Sequence, residues 1–284
     1  MRMFVFSALI LYIFSFFIVA LYHITKKGLF ASLSRAVVVI GLLTHAIALF
    51  IRTYESGHAP MLAMYETLLF YSWSTVLVSA IVILRYRERF TELITIPVAI
   101  LAMIFAQMSE TPAKPLTLIL KTRWFEAHVI SSFAAYALFT LAFSGAVLYL
   151  LSELQTMSLR SNGEAIPSTE IASGAEPLAM TTAELKKDFQ DIAHRSILWG
   201  FFFFSASMFA GAVWAYLAWG AYWLWEPKVI WSFIIWFYYA GAMHAYYIKE
   251  WRGKGLAIAT VVGFFVALFT YLGVSLLMKS SHSF

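Results

Sequence analysis

Ten tryptophans and seven histidines, with no cysteine, set the chemistry open to this 284-residue chain. Without thiols it can form no disulfide, no thiolate metal site and no cysteine nucleophile. Histidine is left as the soft-metal ligand. Six of the ten tryptophans (Trp214, Trp219, Trp223, Trp225, Trp231 and Trp236) fall within one short stretch. An interfacial aromatic belt would distribute them over all helix ends; these converge on one loop. Gly220 and Pro227 shape that loop, and Glu226 and Lys228 add charge to it. Indole rings on a shaped loop suit a large, flat, apolar ligand, because stacking and edge contacts add to the area buried. Lys228 suits carboxylates at such a ligand's edge. A porphyrin, an aromatic disc with two propionates, has this form.

The elements that position these residues follow from composition. The chain is 62% hydrophobic and 12% charged, whereas a soluble domain carries about 25% charged residues. Such a chain cannot cover its own core with polar surface, so the bilayer is the solvent for most of it. Eight apolar runs are long enough to span, at about 4–22, 35–53, 64–84, 92–108, 129–152, 196–216, 231–248 and 256–278. The first reads as a retained span, since no small-x-small cleavage site follows it. Pro97 in the fourth is tolerated inside a membrane bundle. The fold class is all-α, a polytopic integral membrane protein of about eight transmembrane helices.

Lys and Arg set the expected orientation. One set of connections holds thirteen of the twenty, including Arg85, Arg87, Arg89, Lys249, Arg252 and Lys254. That set is placed in the cytoplasm, which puts both termini and the loops 54–63, 109–128 and 217–230 outside. The net charge of +5 then reports cytoplasmic loops, and nothing points to nucleic acid. Three regions follow: 1–153 with five spans, a cytoplasmic linker over 154–193, and 194–284 with three spans and the tryptophan loop. The linker's first part is flexible in composition, and Thr182 to Asp191 reads as a helix continuing into the sixth span. The spans show neither the midplane charge pairs nor the broken repeat helices of a solute transporter.

The stretch Trp219-Gly220-Ala221-Tyr222-Trp223-Leu224-Trp225-Glu226-Pro227-Lys228 resembles the tryptophan-rich WWD motif of the CcsA/ResC cytochrome c assembly family. Glu226 stands where that motif has Asp, and Val229 where it has Glu. The resemblance extends over most of the chain. It includes Gly57-His58-Ala59-Pro60, Tyr65-Glu66-Thr67-Leu68-Leu69-Phe70, Trp124 through His128-Val129, His194-Arg195 before Gly200-Phe201, and Ser281-His282-Ser283. It implies haem b as the group handled. It also implies that His128 and His282 are the two external axial ligands beneath Trp219, Trp223, Trp225, Glu226 and Lys228. His244, an ionisable residue inside a span and so a functional candidate, matches the family's transmembrane haem ligand. His45 reads as a structural or secondary group, and His23, His58 and His194 as interfacial. The implied partners are a CcsB/ResB-like membrane protein and an apocytochrome c presenting C-x-x-C-H. The implied activity is haem transport and presentation, as part of a haem lyase (synthetase) complex. A haem exporter or chaperone without attachment activity and a HemX-like regulatory membrane protein are the alternatives.

Overall fold

The computed structural model describes residues 1–86, 90–109, 112, 117–161 and 182–278. Among them there is no strand. Eight helices run α1 (Arg2–Thr25), α2 (Gly28–Ser56), α3 (Met64–Tyr86), α4 (Glu92–Met108), α5 (Arg123–Ser161), α6 (Thr182–Trp219), α7 (Pro227–Ala245) and α8 (Lys254–Leu268). A wide π turn, Phe269–Gly273, and a last helical turn, Val274–Leu277, continue α8. Each of the eight apolar runs falls on one helix. Six helices are long and apolar enough to cross a membrane; α4, with 17 residues, is a shorter apolar helix, and α7 is rich in Trp and Tyr.

The outside of the bundle is apolar, as a bilayer requires. Phe6, Ile10, Phe17, Phe50, Leu101, Phe202, Phe209, Phe237 and Phe265 are all exposed. In water such a surface would drive aggregation; in lipid it is the solvated face. The chain is an integral membrane protein. Inside, one core joins α1 to α5 around Tyr65, Leu68, Leu69, Met103 and Phe133, and reaches Trp214 and Tyr271. A second joins α5 to α8 around Phe139, Ile197, Phe204, Ile235 and Tyr239. In this second core the Phe139 and Tyr239 rings stack 3.7 Å apart.

α5 and α6, of 39 and 38 residues, form the closest pair. At about 1.5 Å per residue each exceeds the roughly 30 Å hydrocarbon thickness nearly twofold. Small residues permit the approach: a Cβ on Gly145 would lie 2.7 Å from the Phe189 carbonyl oxygen. Lys186 bridges to Glu153 at 2.6 Å beyond the apolar runs. The helices therefore claim 154–161 and 182–193, residues the apolar pattern assigns to the linker, and Thr182 does begin a helix. Residues 162–181, Arg87, Arg89 and His282 lie outside the described residues.

Helix threading gathers the connections at two ends. One end holds 57–63, the turn Leu118–Leu120 and the tryptophan loop; the other holds the connections at 26–27 and 246–253. A buried ion pair lies near the first end: Arg52 Nε donates to Glu66 Oε1 at 2.8 Å, with the two side chains 6% and 2% exposed. Glu66 Oε2 accepts from the Leu62 and Ala63 amides. The pair staples a loop to the ends of α2 and α3 instead of lining a path at midplane.

Candidate functional site

α5 begins where the Thr122 hydroxyl accepts the Phe125 amide at 3.1 Å, an N-cap. One turn on, His128 faces the wall of a cavity of about 230 Å³ at the tryptophan-loop end. Its Nδ1 lies 2.9 Å from the Ser207 carbonyl oxygen and 3.1 Å from Ser207 Oγ. A carbonyl only accepts, so Nδ1 carries the hydrogen and Nε2 carries the lone pair. This is the tautomer in which a histidine ligates a metal, its other nitrogen being held by a second group. Ser132 extends the support by donating to the His128 carbonyl and bonding Ser207 Oγ. A Cβ on Gly211 would lie 2.6 Å from His128 Nδ1. Glycine there lets α6 close against the imidazole, and Trp214 stacks beside it at 6.3 Å and 21°.

Trp214 Nε1 donates to the Ile119 carbonyl at 3.0 Å, pinning the Leu118–Leu120 turn over the same cavity. Trp219 meets Trp214 edge-on at 4.9 Å. α6 then ends at Gly220, whose φ of 74° is left-handed and whose amide returns to the Tyr216 carbonyl. Glycine is the residue suited to that position. Glu226 occupies the N-cap of α7, and Pro227 the first helical position, which needs no amide hydrogen. Gly220 and Pro227 therefore bound the loop as their types suggest.

The structure brings four of the sequence-assigned residues together: His128, Trp219, Trp223 and Lys228 all line the cavity. Trp225 points elsewhere; it is 73% exposed and stacks on Phe233 at 5.8 Å. Glu226 ends the loop outside the cavity lining. Lys228 Nζ donates to Ser275 Oγ at 3.1 Å, across to the last turn of α8. The sequence reading missed Met61, Phe133, Tyr136, Ser207 and Tyr271, which complete the wall. Only Gly211, three residues before a tryptophan in an apolar run, left a signal of close packing.

His244 stands apart. It is exposed near the end of α7, on a stripe with Ile230, Ile234, Phe237 and Gly241. Its Nδ1 donates to the Ala240 carbonyl at 2.7 Å, so it too holds its lone pair on Nε2. Beside it Gly241 has open space where a Cβ would project. Among the described residues, the other histidines lie off the cavity. His45 is fully buried with Nδ1 3.3 Å from the Tyr12 hydroxyl. His58 bonds the Ala59 carbonyl, His194 stacks on Tyr246 at 3.5 Å, and His23 packs on Phe90.

The cytochrome C assembly protein family matches residues 61–282, from the start of the cavity wall through His282. The chain belongs to that family. Among its relatives, the cytochrome c biogenesis protein CcsA of Mesostigma viride is 33% identical over 249 residues, covering 84% of this chain and 81% of that protein. CcsA of Pyropia yezoensis is 31% identical over 257 residues, covering 82% and 81%. A solved structure of the cytochrome c haem lyase CcmF superposes with a TM-score of 0.63 at 16% identity. It covers 99% of this chain, which spans 46% of that one; the likeness is one of fold. The family expected from the tryptophan loop is therefore the right one. In this member of the cytochrome c assembly family, α1 and α2 precede the matched region.

Proposed function

We propose that this cytochrome c assembly protein carries haem across the membrane and presents it for covalent attachment to an apocytochrome c, acting with a CcsB/ResB-like membrane partner. The observation that carries the proposal is His128. It is an imidazole fixed by a carbonyl on Nδ1, with its ligating nitrogen on the other side, in a cavity walled by Trp214, Trp219 and Trp223 with Lys228 at its margin. These residues fit a porphyrin: a ligand for iron, flat faces for the ring and an ammonium for a propionate. His282, from the last residues of the chain, is the second axial ligand of this pair. Trp225 and Glu226 complete the loop that covers the ring.

In this account haem b arrives at His244 from the side of the bilayer that holds the basic connections. A carbonyl-fixed imidazole on an exposed apolar stripe, beside a glycine that leaves room, suits a ring shared with a partner's helix. The substrate then reaches His128, where the chain orients it and excludes water. The apocytochrome's C-x-x-C-H segment supplies both thiols. Each adds across one vinyl group, its sulfur bonding one carbon and its hydrogen passing to the other, so no redox change is needed. The chain itself supplies positioning and no nucleophile. The positive-inside distribution places the tryptophan loop and both termini on the outer side.

The purified full chain should show a Soret band, and His128→Ala should lose most of it. His128→Ala and His282→Ala should each abolish cytochrome c maturation, while His58→Ala and His23→Ala should not. Truncation after Lys279 with haem content and maturation intact removes His282 from the pair. Haem loading without thioether formation on a co-expressed apocytochrome turns the reading into that of a haem exporter or chaperone. Absence of any haem leaves a HemX-like regulatory protein.

A further inference from the structure

Lys228 is held in the cavity wall by a device that the aromatic loop does not contain. It is the second residue of α7 and half-buried, and its Nζ donates to Ser275 Oγ at 3.1 Å. The Ser275 hydroxyl spends its own hydrogen on the Tyr271 carbonyl at 2.9 Å, which leaves oxygen lone pairs for the ammonium. The Tyr271 hydroxyl in turn donates to Thr67 Oγ1 at 2.8 Å. Tyr271 thus ties α3 through its hydroxyl and Ser275 through its carbonyl, and Thr67, Tyr271 and Lys228 all touch the cavity.

The wide turn makes this possible. Phe269–Gly273 takes an extra residue in its turn, so the residues after it point in a different direction from those of a continuous α-helix. Gly273 leaves room for the Phe269 ring, since a Cβ there would lie 2.4 Å from it. Ser275 follows by two residues and is thereby brought to Lys228.

A lysine side chain is long and well hydrated, and it swings toward water unless an acceptor holds it. Serine is a neutral acceptor, so this contact positions the ammonium without placing a negative charge on it. A carboxylate is the stronger partner. We propose that Ser275 is a specificity-determining residue that holds the Lys228 ammonium at the cavity wall, preorganised for a ligand's carboxylate; this rests on the haem reading above. The site therefore selects porphyrins with free propionates over otherwise identical porphyrins whose propionates are esterified.

The test titrates the full chain in detergent with ferric protoporphyrin IX and with its dimethyl ester, following the Soret band. The wild-type chain should favour the free acid by about tenfold, the scale of one charge-assisted hydrogen bond. Ser275→Ala should reduce that preference to about threefold or less with ester affinity unchanged, and Ser275→Thr should restore it. A merely structural serine would weaken both porphyrins alike and leave the ratio at its wild-type value, which overturns the proposal. If Lys228→Gln keeps the wild-type ratio, it is the lysine–carboxylate contact that is wrong. If the wild-type chain binds neither porphyrin, the haem reading falls and this inference with it.

Discussion

His128 and His244 hold the same tautomer by the same device, a backbone carbonyl on Nδ1, in opposite surroundings. His128 lies in an enclosed wall where Gly211, Trp214, Ser207 and Ser132 over-determine the ring. His244 projects from an exposed apolar stripe, and the carbonyl of its own helix one turn back is the contact that orients it. The two imidazoles thus differ in how firmly this chain fixes them. On the proposed function, the first takes a ring into its cavity and the second shares one with a partner's surface against α7.

The largest effect should come from His128→Ala, which removes the only histidine lining the cavity among the described residues. Maturation of a co-expressed cytochrome c should fall at least tenfold, the scale on which losing a charge-assisted or metal-ligand contact is read. Helical circular dichroism should stay unchanged, since no span depends on that ring. Retained maturation would break the comparison at its stronger half.

His244→Ala should act next, and conditionally. Haem content should fall severalfold when the chain is purified with its partner, and added imidazole should recover part of it by refilling the vacated position. Unchanged haem content returns His244 to a structural role.

Gly211→Ala is a smaller change with a sharper meaning. Glycine to alanine in a helix interior ordinarily stabilises by roughly 0.5–1 kcal/mol. Here the new methyl meets His128 Nδ1 at 2.6 Å. The variant should lose about 1–3 kcal/mol of stability, the cost of overpacking, while its Soret band shifts or weakens. Gly241→Ala, with open space around it, should leave the His128 site's spectrum alone. Equal spectral effects from the two glycines would erase the distinction drawn between the sites.

The smallest effects divide the tryptophan loop. Trp223 lines the cavity and Trp225 does not. Trp223→Ala should lower haem content by removing stacking surface, on the order of 0.5–1.5 kcal/mol beyond area burial. Trp225→Ala should lower it less, and Glu226→Asp, which keeps a carboxylate at that position, should retain activity. A reversed order of the two tryptophans would show that the loop closes on its ligand with a different face.

The helices were legible in the sequence because spanning requires an uninterrupted apolar run, and each run found its helix. Their ends were less legible. α5 and α6 persist past the apolar runs because they pack on one another and are bridged by Glu153 and Lys186, a pairing that lies in tertiary structure. Gly220 and Pro227 marked the loop through their own backbone preferences, and those preferences are local. Which tryptophans face inward is not local. Trp223 and Trp225 alternate in a non-helical segment, and only the crossing of α6, α7 and α8 decides between them. The Arg52–Glu66 pair and the Lys228–Ser275 contact join residues from different helices, so periodicity along one helix carried no trace of either. Lys228 was singled out by its charge beside the indoles, and His128 by resemblance to a family, which adds tertiary information that single-chain spacing lacks; both line the cavity.

The claim that matters most is that His128 ligates haem iron in the tryptophan-walled cavity. It is tested most directly by the absorption spectrum of the purified full chain, wild type beside His128→Ala, each with and without imidazole. The wild type should show a Soret band, the variant a weakened and shifted one, and added imidazole should return the variant partway toward the wild-type spectrum. A variant whose Soret band matches the wild type in position and intensity, with no response to imidazole, would contradict it.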